Sequence, residues 1–156
     1  MNFRITGLDP AEFAPLFALS DAELAARNAC RCVVNTPVGF PCRISLDDAV
    51  PGETVLLLNY LHQPAATPFQ ASHAIYVRPD APRFVAEGEV PPALRRRLIS
   101  LRGFDAAGWL RAADVVDGRE LETGIAALFE NPDVAYLHAH YAKMGCFAAR
   151  VDRLAA

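Results

Sequence analysis

Four consecutive apolar residues, Val55-Leu56-Leu57-Leu58, constrain this 156-residue chain more than any other feature of it. A strand that faces water on one side alternates apolar and polar residues, whereas an unbroken apolar run is packed on both faces and belongs in the middle of a sheet. Thr54 to Leu61 is therefore predicted as a central strand, closed by His62-Gln63-Pro64.

The segments around it are short and mostly joined by short connections. Phe3-Arg4-Ile5, Arg31 to Asn35, Ala74 to Val77, Ser100 to Phe104, Leu110 to Val116, Val134 to Tyr141 and Cys146 to Val151 read as strands. Cys42 to Leu46 reads as a short extended piece, and Arg83-Phe84-Val85 as a segment pairing back on the strand before it. Asp105-Ala106-Ala107-Gly108 and Tyr141 to Gly145 are tight enough to close antiparallel hairpins. Helices are signalled by their ends. Asp9-Pro10 opens one that Pro15 interrupts, and Ser20 with Glu23 has capping-box spacing. Pro91-Pro92 opens another, with Ala93, Leu94 and Leu98 facing inward. Asp117 and Glu120 head the clearest helix, which places Leu121, Ile125, Leu128 and Phe129 on one face and stops at Asn131-Pro132. Strands outnumber helices. The fold class is α+β: a single domain over residues 1–156, with a largely antiparallel sheet and a few packed helices. A chain of this size holds together by its core, without disulfides or structural metal.

Net charge is −3, and fourteen of the fifteen basic residues are arginine, Lys143 being the exception. No basic face is wide enough for nucleic acid. Arg95-Arg96-Arg97 is the only dense patch, either the solvated side of a helix start or an anion-binding lip. Asp47-Asp48 with Glu53 lacks calcium-loop spacing and reads as solvated. No apolar run is long enough to span a bilayer, and the N-terminus has no secretory pattern. A cytoplasmic location is expected, with Cys30, Cys32, Cys42 and Cys146 as free thiols.

The chemistry concentrates in a few stretches. On a strand, His138 and His140 share a face with Val134 and Tyr136. Across the turn, regular alternation puts Cys146, Ala148, Arg150 and Asp152 on one face. If the polar faces coincide, the two histidines meet Cys146 and Arg150, and a one-residue slip separates them. Three readings follow. His-x-His offers two nitrogen ligands with a bite that suits zinc, with Cys146, His62 or His73 completing the set. Alternatively, Cys146 is a nucleophile with histidine as its base and Arg150 beside it. Otherwise the histidines are polar surface and Cys146 is core filler. In Gly39-Phe40-Pro41-Cys42-Arg43 a thiol sits beside a fixed positive charge, either a substrate corner or a rigid turn. His62 and His73 lie at strand ends, where binding groups collect. Cys30-Arg31-Cys32 reads as structural.

Taken together, Gly39 to Leu46, Leu56 to Tyr60 with His62-Gln63-Pro64, Leu94 to Leu98, Ala135 to His140 and Gly145 to Arg153 resemble a bacterial family catalogued as "domain of unknown function 1203". The likeness runs over nearly the whole chain. The resemblance implies a small bacterial protein and supplies no reaction, cofactor or partner. Its recognisable motifs fall on the stretches singled out above. Members of that family often carry Asn where this chain has Tyr141.

The expected function is binding of a small anionic molecule in a pocket lined by Cys42, Arg43, His62, His73, His138, His140 and Arg150. The alternatives are a small enzyme, with Cys146 and His138 as catalytic candidates in a thiol mechanism or a metal-assisted hydrolysis, and a structural or partner-binding module. No residue is assigned as a metal ligand, and no cofactor is assigned.

Overall fold

In the computed structural model, which describes residues 3–154, the chain runs β1 (Phe3–Thr6), α1 (Pro10–Phe13), α2 (Asp21–Ala25), β2 (Ala29–Val33), β3 (Thr54–Gln63), β4 (Ala71–Val77), β5 (Val85–Glu87), α3 (Pro92–Arg95), β6 (Leu98–Phe104), β7 (Leu110–Asp117), α4 (Leu121–Leu128), β8 (Tyr136–Tyr141) and β9 (Phe147–Arg153). The fold is α+β. Every strand pairing is antiparallel, in a three-stranded sheet β2-β3-β4 and a six-stranded sheet β5-β1-β9-β8-β6-β7. No helix among the described residues is long and apolar enough to cross a membrane.

β3 lies mid-sheet, as its apolar run requires. Leu56 and Leu58 pack on one side with Phe13, Leu24 and Ile75, while Val55 packs on the other with Val34 and Ala49. β8 is the buried strand of the larger sheet, flanked by β9 and β6, and all six of its residues are buried. Its Leu137, Ala139 and Tyr141 face a core shared with Leu121 and Ile125 of α4 and Ala93 and Leu94 of α3. Each fully buried Leu or Ile there contributes roughly 1.5–3 kcal/mol. Period two leaves Tyr136, His138 and His140 on the opposite face of β8, toward β3.

Helix ends follow the local chemistry. Asp9 accepts from the Ala11 amide, and Pro15 leaves only a 3-10 turn after α1. Ser20 and Glu23 form a reciprocal capping box. Four expectations are corrected. Cys42 to Leu46 is not extended: Cys42 bridges to Tyr76, and the chain then turns, with Leu46 at φ 52° and its amide donating to the Cys42 carbonyl. β5 pairs with β1 rather than with the strand preceding it. Leu98 opens β6 and is exposed, because α3 ends at Arg95. Asp117 caps a 3-10 turn over Gly118–Glu120 by accepting from the Arg119 amide, so α4 starts only at Leu121. The arginine run is engaged rather than free. Arg96 and Arg97 pair with Asp48, which is buried rather than solvated, and Arg95 pairs with Glu122.

Two irregularities decide what the sheets present to each other. Between β3 and β4, Leu61 pairs with Ser72 and Gln63 with Ala71, so His62 is an extra residue. Between β8 and β9, Ala139 pairs with Ala149 and His140 with Phe147, so Ala148 is extra. Such bulges re-aim side chains and interrupt the alternation of faces.

Candidate functional site

The β8/β9 bulge sets the composition of the site. With regular pairing, Arg150, Ala148 and Cys146 would share the histidine face. The extra residue keeps Arg150 opposite His138, sends Ala148 and Ala149 together into the core, and brings Phe147 onto the histidine face opposite His140. Cys146 is carried to the other side, into the core, where the Arg43 guanidinium donates to its Sγ at 3.1 Å. The proximity of Cys146 to the histidines expected from regular alternation therefore does not occur.

The second bulge supplies the third imidazole. His62 leaves β3 toward β8, stacked on the Phe147 ring at 5.0 Å with only 6° between the planes. Its ring centroid lies 5.8 Å from that of His138 and 5.0 Å from that of His140. One ring nitrogen from each of the three histidines falls within 4.8 Å of the others. His62 Nδ1, His138 Nδ1 and His140 Nε2 are buried and have no hydrogen-bond partner. His140 Nδ1 lies 3.0 Å from the Gly145 carbonyl oxygen, which can only accept. That contact puts the proton on Nδ1 and leaves the lone pair on Nε2 facing the cluster. A backbone carbonyl behind an imidazole is also what orients metal-ligating histidines.

All three rings are held neutral. Burial, then the neighbouring His140, His62, Arg150 and Arg102, pushes His138 down to about 2. Burial lowers His140 to about 3 against the opposing effect of the Gly145 carbonyl, with Arg102, His62 and His73 adding to the fall. Burial, Arg102 and His73 lower His62 to about 4. The unfolded chain takes up protons on these histidines as pH falls below about 6.5, while the folded chain refuses them until much lower pH. Stability is therefore expected to drop steadily on acidification from about pH 7 to pH 5, read as a falling urea midpoint. A midpoint flat over that range would contradict neutral burial of the trio.

The cluster opens into a cavity of ≈ 520 Å³. His62, His138, Gln63, Tyr136 and Arg150 supply its polar wall. Pro64, Ala65, Ala106 and Ala135 supply an apolar one. The polar wall is braced: Gln63 donates to the Tyr136 hydroxyl at 2.9 Å, and the Arg150 guanidinium lies 3.9 Å over the Tyr136 ring while pairing with Asp152.

The remaining candidates divide. His73, on β4 opposite Tyr60, is near enough to affect His62 and His140 electrostatically but is not one of the three converging rings. Arg43 is fully buried behind the site, donating to the Phe147 and Pro41 carbonyls and lying over the Tyr141 ring. Cys42 sits in the core with Leu56 and Ile75, its Sγ accepting from the Ile44 and Arg78 amides. Cys30 and Cys32 lie together on β2, an edge strand, with sulfurs 3.9 Å apart. Sequence reasoning missed Phe147, whose face the bulge reverses, and Arg102, which lies opposite His138 on the neighbouring β6.

Among known proteins, the family described as "Protein of unknown function (DUF1203)" matches residues 39–153. No curated protein and no solved structure matches the chain.

Proposed function

The chain belongs to the DUF1203 family, whose description carries no activity, and from the geometry of the site we propose that it holds a divalent transition-metal ion on His62, His138 and His140 and takes a small anionic molecule at the position left open to the cavity. The observation that carries this reading is the convergence of three neutral imidazoles, each offering one ring nitrogen within 4.8 Å of the others and each holding a buried nitrogen without a hydrogen-bond partner. A buried polar atom without a partner is costly, and three together call for a common one. Zinc–nitrogen bonds of about 2.0–2.1 Å at tetrahedral angles put ligand nitrogens about 3.4 Å apart, so each ring nitrogen, starting within 4.8 Å of the others, moves inward by at most about 0.8 Å.

Three protein ligands with a free position is the pattern of a catalytic rather than a structural site. The dication itself draws an anion, and Arg150 on the cavity wall has the same sign. Without the ion the histidines carry no charge at neutral pH, so the metal supports anion binding better than the imidazoles alone. With zinc held there, the same open position would take a water of lowered pKa, about 7, and His62, His138 and His140 would then support metal-assisted hydrolysis. A thiol mechanism finds no support, because Cys146 lies on the far face of β8 and β9.

Titration of chelator-treated protein with Zn²⁺ in a calorimeter tests the reading. One equivalent should bind with Kd below about 1 µM, near −8 kcal/mol. Binding no tighter than millimolar would reject it.

A further inference from the structure

Arg102 stands out from the other arginines of the protein. It lies on β6, in register with His138 on one side and with Ala113 of β7 on the other. It is half-buried, yet among the described residues its guanidinium makes no ion pair and no hydrogen bond. Most other arginines pair with a carboxylate or, like Arg43 and Arg153, donate to backbone carbonyls. Arg4 also lacks such a bond, but its register neighbours are Glu87 and Asp152. Arg102 has no acidic residue in register on either side.

A partly desolvated cation without a partner is costly, and this one lies in register with a histidine that, on the reading above, holds a second cation. Two positive charges on one face of a sheet repel each other, and an anion bound between them relieves that repulsion. A guanidinium presents parallel N–H donors that match two oxygens of one group, whereas a metal ion takes one oxygen along a single bond.

We propose that Arg102 is the second anchor of the ligand, so that the site selects oxyanions with at least two oxygens, a carboxylate or a phosphate ester, one oxygen on the metal and another on the Arg102 fork. The apolar wall of Pro64, Ala65, Ala106 and Ala135 then receives the carbon portion of the same molecule. This rests on the metal reading, and it adds a residue and a ligand class to it.

The two ideas separate experimentally, because Arg102 acts on the metal and on the anion with opposite signs. Arg102→Ala should bind Zn²⁺ at least as tightly as the wild type, since a repelling charge is removed. Arg102→Lys keeps the charge and loses the fork. In the zinc-loaded protein it should hold azide, which needs only one contact, within about threefold, while its affinity for acetate or inorganic phosphate falls about tenfold or more. Comparing acetate with phosphate tells which oxyanion the site prefers. Equal loss of azide and of both oxyanions in Arg102→Lys, or no loss of either oxyanion, would overturn the selectivity while leaving the metal site standing. Failure of the wild type to take up zinc would sink both.

Discussion

His138→Ala and His138→Phe should each lower zinc affinity by more than about 100-fold, beyond the 10–100-fold that loss of a residue merely supporting a ligand costs. The phenylalanine variant separates ligation from packing. His138 is surrounded by the rings of Phe104, Tyr136 and Phe147 at centroid distances of 5.1, 5.4 and 5.0 Å. Phenylalanine keeps an aromatic ring in that nest and removes both nitrogens. It should remain folded, fail to bind zinc, and lose less stability on acidification than the wild type, because one neutral buried imidazole is gone. Zinc affinity retained in the phenylalanine variant would show that the ion, if bound at all, sits elsewhere.

Gly118→Ala should be strongly destabilising, costing about 3 kcal/mol or more, at the upper end for overpacking. Gly118 follows β7 and docks on the end of α3. A Cβ there would lie 1.9 Å from the Leu94 carbonyl oxygen, with those of Arg97 and Arg95 at 2.7 and 2.9 Å. None of these is a side-chain tip that can swing away. Relief means moving α3, which carries the fully buried Ala93 and Leu94. In a domain of this size the loss corresponds to a fall in Tm of about 10 °C. Gly124→Ala is the control: its Cβ would meet Val116 and Leu101 side-chain carbons at 2.9–3.2 Å, which can shift. Equal losses for the two would disprove a backbone wedge at Gly118.

What the sequence made legible is what depends on local pattern. The apolar run placed β3 mid-sheet, cap chemistry marked α1 and α2, and period two put His138 and His140 on one face. What it hid depends on a single residue or on distant pairing. Nothing about Ala148 announces an extra residue, yet that residue puts Phe147 in place of Ala148 opposite His140 and turns Cys146 to the other face. His62 was visible as a strand end, but its turn toward β8 follows from a register shift against β4. Arg102 meets His138 only because β6 pairs with β8 across an intervening hairpin and helix. Asp48 resembled any loop carboxylate until Arg96 and Arg97 closed on it.

β1 pairs with β9, a strand far from it in sequence, and this sets an order of events during synthesis. Among the described residues β5 pairs with β1 alone, and β1 borders β9, so that half of the larger sheet cannot close until β9 has left the ribosome. Contacts so far apart in sequence form late and slowly. The imidazoles obey the same schedule: His62 is made early, His138 and His140 late, and the Phe147 ring that stacks on His62 later still. A nascent chain thus holds only one histidine of the trio until β8 is made. On the metal reading, an ion would meet the complete trio only once β8 has been made.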